Sequence, residues 1–178
     1  MEAIGHVIEP YRKMPPKMIL ENHFGDDNPI IKELPIRGGW GYSKDDACLI
    51  DKNDPILANS SRPFNGYGIE NVFVKLRTDE ELLEASHFVD SYRLLNIERI
   101  SQSLIIDNGR KFDRLTFEVE AILESNIVSL KKILQEAREA NLDDQDEEVM
   151  QKIHEKTVRM TREFWFDITS FYGDGWGS

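Results

Sequence analysis

The chain has 178 residues, with 33 acidic and 22 basic side chains, which gives a formal net charge of −11 at pH 7. Such a charge repels nucleic acid unless a local basic patch compensates, and the sequence contains no such patch. No apolar run approaches the roughly 20 residues of a membrane span. We therefore expect a protein that binds neither nucleic acid nor a membrane.

The length and the cysteine content bound the class further. We expect one domain over residues 1–172 and a flexible tail over residues 173–178, as in a small bacterial-type domain. Cys48 is the only cysteine, so an intrachain disulfide is excluded and a reducing compartment is favoured. The first 18 residues lack the continuous apolar core of a signal peptide, and we therefore expect a cytoplasmic protein.

Proline and glycine are frequent in the first third of the chain, which predicts short elements there. Residues 3–9 are a strand candidate, and four prolines predict irregular chain over residues 10–29. Residues 30–37 are apolar, but an internal proline limits them to an edge strand or a broken strand. A short buried strand is predicted for residues 46–51, and a long surface loop for residues 52–68.

The middle of the chain shows stronger patterns. Residues 69–77 are rich in β-branched and aromatic side chains and predict a strand. Thr78 and Glu81 have the spacing of a capping box, in which each side chain bonds the other residue's backbone amide at the start of a helix. We therefore expect a helix that begins at Thr78. Its apolar residues recur at helical spacing: Leu82, Ala85, Val89 and Tyr92.

A β-hairpin is predicted around the Asn-Gly pair at residues 108–109, because alternating apolar and polar residues flank it. A two-residue turn places Gln102 opposite Leu115 and Ile100 opposite Phe117. The buried face of the second strand then carries Leu115, Phe117, Val119, Ala121 and Leu123. The buried face of the first strand then carries Ile100, Leu104 and Ile106. This pattern is typical of a half-buried antiparallel sheet.

Two amphipathic helices and a strand follow the hairpin. The first helix has an apolar stripe that ends near Asn141: Ile127, Leu130, Leu134 and Ala137. The second begins after residues 143–144 and directs four residues inward: Val149, Ile153, Thr157 and Met160. Residues 164–172 are aromatic and β-branched and predict a last strand. Together these elements predict an α+β fold with a largely antiparallel twisted sheet and about three helices packed on one face.

The segment 34–55 contains three glycines around a tryptophan, followed by aspartates and the cysteine. It does not fit a phosphate-binding loop, because no glycine stands directly before Lys44. It does not fit a calcium loop either, because Pro55 stands at the third ligand position. We interpret the segment as a tight turn or bulge in which the glycines supply unusual backbone dihedrals.

Four aromatic residues lie in two glycine-containing segments. Trp40 and Tyr42 belong to GGWGY, and Phe64 and Tyr67 belong to PFNGYG. If the segments meet, they form an aromatic-walled cleft or contact surface. The alternative is that these side chains fill the core or cap the edge of the sheet.

The sequence contains no complete catalytic or metal-binding motif. The weak metal candidates are His23, Asp26 and Asp27 in ENHFGDD, and a solvated polar loop is the alternative for this segment. Cys48 lies in an apolar strand with no histidine beside it in sequence, which disfavours a nucleophilic role. We therefore expect no bound metal and no cofactor, and the absence of a catalytic motif argues against an enzyme.

Two functional classes remain. The first is a protein-interaction or inhibitor/immunity-type module that binds a basic protein, with an exposed aromatic, Trp40 or Tyr67, as its apolar anchor. Acidic residues at helix starts would steer that partner: Asp79, Glu80, Glu84, Asp143, Asp144 and Glu147. Helix-dipole stabilisation is an alternative role for these acids. The second class is a small enzyme or small-molecule-binding domain that uses residues 38–42 and 64–68. The sequence does not determine the oligomeric state.

Overall fold

The computed structural model describes residues 14–60, 63–86, 90–142 and 146–173. In these ranges the chain forms a five-stranded sheet with the strand order β1-β2-β5-β4-β3. The strands are β1 (Ile36–Gly38), β2 (Cys48–Ile50), β3 (Tyr92–Asp107), β4 (Arg110–Leu123) and β5 (Thr157–Asp167). All neighbouring strands are antiparallel except the parallel pair β2 and β5. The predicted α+β class is therefore confirmed. The strand predicted for residues 3–9 lies outside the described residues.

The described ranges contain five α-helices, where about three were expected. They are α1 (Pro16–Phe24), α2 (Pro29–Glu33), α3 (Gly66–Glu84), α4 (Ile127–Glu139) and α5 (Glu147–His154). The prediction of irregular chain over residues 10–29 is wrong at α1. Pro16 and Pro29 each occupy the first turn of a helix, where a missing N–H breaks no helical hydrogen bond. None of these five helices is long and apolar enough to cross a membrane.

The strand predicted for residues 69–77 is wrong, because these residues belong to α3. The buried positions of α3 recur every three or four residues and include Gly66, Glu70, Phe73, Val74, Arg77, Thr78, Glu81 and Leu82. Half of these are polar, so a search for apolar residues at helical spacing does not detect the helix. The β-branched residues of the segment instead suggest a strand.

The capping box predicted at Thr78 is also wrong. Thr78 lies in the middle of α3, where its hydroxyl donates a hydrogen bond to the Val74 carbonyl at 2.7 Å. The helix is capped at Asn65, whose side chain accepts from the Gly68 amide. The apolar stripe expected after Thr78 is interrupted, since α3 ends at Glu84 and Tyr92 begins β3. Val89 lies outside the described residues.

The predicted hairpin is confirmed as β3 and β4. Asn108 and Gly109 both have positive φ, as a two-residue hairpin turn of this type requires. Gln102 lies opposite Leu115, as expected, but Ile100 does not lie opposite Phe117. Ile100 is the extra residue of a β-bulge, because Arg99 pairs with Phe117 and Ser101 with Thr116.

The two strands of the hairpin differ in burial. The interior of β4 is buried as predicted at Leu115, Phe117, Val119 and Ala121. The predicted burial of Ile100, Leu104 and Ile106 is wrong, since these side chains are 56%, 43% and 63% exposed. Ile100 is displaced by the bulge, and Leu104 and Ile106 are exposed because β3 is the edge strand among the described strands, with β4 as its one described neighbour.

The last strand begins earlier than predicted. β5 starts at Thr157, so Thr157 and Met160 belong to a strand and not to the preceding helix. β5 pairs with β4 continuously from Thr157 opposite Ile122 to Asp167 opposite Phe112. Thr157 and Met160 therefore form a strand, because the hydrogen bonds to the long strand β4 stabilise it more than their helical spacing favours a helix.

The core lies between α3 and the face of the sheet that carries Phe164 and Phe166. Phe73 of α3 contacts Phe166 edge-on, with ring centroids 5.7 Å apart. Phe117 contacts Phe164 in the same way at 5.5 Å. These ring contacts fix α3 on the sheet and place its polar residues against β4 and the loop before β2.

Phe117→Ala should lower the free energy of unfolding by about 3–5 kcal/mol, because it deletes a buried ring from this core. Glu118→Ala should change it by less than about 0.5 kcal/mol, since Glu118 is exposed on the opposite face of β4. Urea denaturation of both variants measures the difference. Equal denaturation midpoints would contradict the face assignment of β4.

Candidate functional site

The four aromatic residues predicted to form a cleft separate into two groups. Trp40 is fully buried and contacts Phe73 edge-on, with ring centroids 5.4 Å apart. Phe64 and Tyr67 instead contact Phe171, at 5.4 and 5.7 Å. The core-filling alternative therefore describes Trp40. Its complete burial contradicts its proposed role as an exposed anchor.

The glycines of GGWGY bring the loop against β5. Gly41 has a φ of +84°, and a Cβ at this position would lie 3.0 Å from the Trp165 carbonyl oxygen. The Trp165 amide donates a hydrogen bond to the Gly41 carbonyl at 2.9 Å. A Cβ at Gly39 would lie 2.2 Å from the Asp46 carboxylate. These contacts agree with the interpretation of the segment as a tight turn.

Arg77 of α3 is buried beneath this loop. Its Nη1 donates to the carbonyls of Trp40 at 3.1 Å and Gly41 at 3.0 Å. Its Nε donates to Glu81 Oε1 at 2.7 Å, one turn along α3. Glu81 is also buried, and its second oxygen lies 3.5 Å from the guanidinium of Arg162 on β5. The charge of Arg77 is thus paired, and the guanidinium joins the helix to the loop.

Two aromatic rings complete the surroundings of Arg77. The guanidinium carbon lies 4.2 Å from the ring centre of Tyr42 and 4.4 Å from that of Phe164. Cations over aromatic faces are stabilised by the ring quadrupole. Tyr42 therefore contacts this buried guanidinium, and the site that contains it is closed and structural in character.

The acidic residues predicted on α3 do not lie in a first turn. Asp79 and Glu84 are exposed in the second half of the helix, but Glu80 is only 1% exposed. Burial raises the pKa of Glu80 to about 7, and the charges of Glu84 and Glu81 add to the shift. The prediction that Glu80 belongs to a steering surface is therefore wrong, because its carboxylate is buried away from solvent.

The acidic residues predicted at the start of the last helix are partly outside the described chain. Asp143 and Asp144 lie outside the described residues. Glu147 is exposed in the first turn of α5, where the side chain of Asp146 caps the helix. An acid in a first turn is stabilised by the helix dipole.

The weak metal candidates do not form a cluster. His23 contacts the ring of Phe24 at 4.4 Å, and burial lowers its pKa. Asp27 pairs with Lys32 at 2.9 Å, and Asp26 is exposed. Across the described ranges, no group of three or more histidine, cysteine, aspartate or glutamate residues is arranged to hold a metal ion.

Cys48 is fully buried in β2, opposite Phe166 of β5. Burial raises the pKa of its thiol far above the ordinary value, although the charge of Arg77 opposes the shift. The thiolate is the reactive form of cysteine, so this environment makes Cys48 inert as a nucleophile.

A pair of buried acids lies between α3 and β4, and sequence reasoning missed it. Glu70 and Asp113 are 1% and 2% exposed. Among the described residues, Glu70 Oε1 and Asp113 Oδ1 have no hydrogen-bond partner. Burial raises the pKa of Glu70 to about 8, and the charge of Asp113 adds to the shift. Burial also raises the pKa of Asp113, against opposing contributions from Gln102 and Arg99.

Gln102 and Arg99 connect this acid pair to the surface of β3. The Gln102 amide donates from Nε2 to Asp113 Oδ2 at 2.5 Å. Arg99 Nη1 donates to Gln102 Oε1 at 3.1 Å. Both residues are exposed on the edge strand. The signal that could have revealed the pair is a helical interpretation of residues 66–84, which places Glu70 one turn before Val74 on the buried face.

The surface of β3 is the most apolar exposed feature of the sheet. Four of its large apolar side chains are at least 43% exposed: Leu95, Ile100, Leu104 and Ile106. The strand is 16 residues long and is the last of the described sheet, so one side of its backbone faces no neighbouring strand. Long apolar edge strands are sites at which another chain can add a strand.

Two like charges lie side by side next to this edge. Glu98 of β3 is directly opposite Glu118 of β4, and both are exposed. Neither forms an ion pair with another described residue. Like charges opposite each other on neighbouring strands destabilise a sheet. A basic side chain placed between them would relieve the repulsion.

A separate apolar cleft of about 370 Å³ lies between α2 and the start of α3. Its walls include Ile30, Leu34, Phe64, Ile69 and Val72, and Glu33 is the one charged side chain among the described residues that line it. Phe64 is the one aromatic residue from the predicted cleft that lines it. The site is thus lined by part of the 64–68 segment and by none of residues 38–42.

Searches with family models, and comparisons with curated proteins and with solved structures, found no significant match to this chain.

Arg77→Met should lower the free energy of unfolding by about 3–5 kcal/mol, because it leaves Glu81 buried without its main partner. The double variant Arg77→Met/Glu81→Leu should be more stable than Arg77→Met, since it removes the uncompensated charge. Lys75→Met, on the exposed side of α3, is the matched control and should be close to wild type. Urea denaturation measures all three. A loss below about 1 kcal/mol for Arg77→Met would contradict the pairing described for Arg77.

Proposed function

We propose that this protein is a protein-binding module that takes a basic partner on β3. The observation that carries the proposal is the 16-residue edge strand with four exposed large apolar side chains. A partner segment in extended conformation would pair with the side of the β3 backbone that has no neighbour among the described strands, and would cover these side chains. Main-chain hydrogen bonds would supply affinity, and the apolar contacts would fix the register.

The charge of the chain supports a basic partner. The net charge of −11 favours association with a cationic surface, mainly by accelerating encounter. Glu98 on β3 and Glu118 on β4 place two carboxylates opposite each other, and neither has an ion-pair partner among the described residues. A lysine or arginine of the partner between them would form two charge-assisted contacts and remove the repulsion between the acids. The inhibitor or immunity-type role belongs to this class, in which a basic protein is held at an acidic surface.

A photo-cross-linking phenylalanine analogue at Ile106 should capture this partner in the source cell. The same analogue at Val128 is the control, because Val128 is 76% exposed but lies on α4. We expect a discrete adduct with a basic protein from position 106 and none from position 128. The same adducts from both positions, or an acidic protein as the specific adduct, would contradict the proposal.

The charge at the docking strand provides a second arm of this experiment. Glu98→Lys should reduce the adduct at position 106, and Glu155→Lys, an equal charge change at the end of α5, should leave it unchanged. Glu98→Lys should also stabilise the fold by about 0.2–1 kcal/mol, since it replaces a like-charge pair with an attractive one. Reduced capture therefore cannot result from unfolding. Equal capture by both variants would remove Glu98 and Glu118 from the proposal.

The cleft beside α2 supports a second candidate, a small-molecule-binding domain. A cleft of about 370 Å³ with apolar walls is within the size range of ligand pockets. An apolar metabolite library should then raise the melting temperature of the wild-type protein. Val72→Trp, which fills the cleft from α3, should abolish the shift. Ligand-induced stabilisation that survives this substitution would place the ligand elsewhere.

A further inference from the structure

The acid pair between α3 and β4 presents an electrostatic problem that the fold must solve. Glu70 and Asp113 are withdrawn from water, and each has one buried oxygen without a partner among the described residues. Two ionised carboxylates at such a site would each lose hydration and would repel each other. The guanidinium of Arg99 reaches Gln102 rather than either acid, so it does not neutralise them by a direct ion pair.

We propose that Glu70 and Asp113 share one proton in the folded protein, and that this proton controls the position of the docking strand β3. A protonated carboxyl group is a hydrogen-bond donor, whereas an ionised one only accepts. One proton held between the two acids would therefore supply the donor that both unpartnered oxygens lack. It would also remove one of the two negative charges.

The link to β3 runs through Gln102. Its side-chain nitrogen Nε2 donates to Asp113 Oδ2, and its side-chain oxygen Oε1 accepts from Arg99. Loss of the shared proton leaves two charges that compete for the Gln102 amide and for the positive charge of Arg99. Both groups belong to the exposed surface of β3, beside the bulge at Ile100. This inference rests on the docking role proposed for β3.

The groups that face the pair set the direction of its pH dependence. Tyr67 on α3 lies near both acids. Burial and the charges of Glu70 and Asp113 raise the pKa of the Tyr67 hydroxyl. Tyr172, after β5, also acts on Tyr67, and Arg99 of β3 lowers the pKa of both acids. For Glu70 the net direction is upward, to about 8. The folded state therefore retains the proton after the unfolded chain has lost it, and stability falls as pH rises from about 4.5 to about 8.

Carboxyl ¹³C NMR of the isolated protein, titrated from pH 5 to pH 9, tests this inference without a partner. We expect the Glu70 carboxyl to titrate near the upper end of this range, and the backbone amides of residues 99–104 to shift with the same midpoint. Glu70→Gln supplies a permanent donor in place of the proton and should abolish that transition in the amides. Glu118→Gln, an exposed acid on the same sheet, should leave it unchanged.

Three results would overturn the inference. The first is a Glu70 carboxyl that titrates at the ordinary pKa of glutamate, and the second is β3 amides that do not follow it. The third is an amide transition that persists in both Glu70→Gln and Asp113→Asn, which would assign it to another group. These outcomes are independent of the cross-linking experiment, since they need no partner. If only the docking proposal is wrong, the cross-linking result fails, but the pH titration of Glu70 and of the β3 amides is still observed.

Discussion

The buried guanidinium of Arg77 is the contact on which the arrangement of α3, the GGWGY loop and β5 depends. It joins α3 to two segments that are distant in sequence. Its guanidinium donates to two carbonyls of the GGWGY loop, and its partner Glu81 on the same helix also lies beside the guanidinium of Arg162 on β5. A charge at this depth is tolerated because three acceptor oxygens and two aromatic faces contact it. The loop can approach this closely because Gly41 has no side chain to collide with β5.

The same helix explains why a second polar site exists at its other end. The buried stripe of α3 carries Glu70 two turns before Arg77, where β4 presents Asp113 instead of a basic group. The stripe therefore has a paired charge at Arg77, whereas Glu70 and the nearby Asp113 have no ion-pair partner among the described residues. This second end is joined to β3, the strand with the exposed apolar surface, by the hydrogen bond from Gln102 to Asp113. Two buried acids that destabilise the fold are thus connected to the strand for which we propose a binding role.

Local signals made some of the fold predictable and left other parts hidden. The hairpin was predictable because an Asn-Gly turn and alternating side chains act between neighbours in sequence. Helix α3 was not, since its buried stripe includes Glu70, Arg77 and Glu81, whose burial depends on partners far along the chain. The bulge at Ile100 had no local sign, and it moved an expected core residue to the surface. The predicted aromatic site failed for a related reason, because the core around Phe73 enclosed Trp40.

NMR of the arginine side chains tests the central role of Arg77 most directly. The Nε–H signal of a guanidinium held by three hydrogen bonds and two aromatic faces should exchange slowly with water. It should remain distinct from the averaged signal of Arg138, which is exposed on α4. It should move in Glu81→Gln, where the charged acceptor becomes neutral. An Arg77 signal that exchanges as fast as that of Arg138 would contradict the account, because the guanidinium would then be in solvent and α3 would not be tied to the loop.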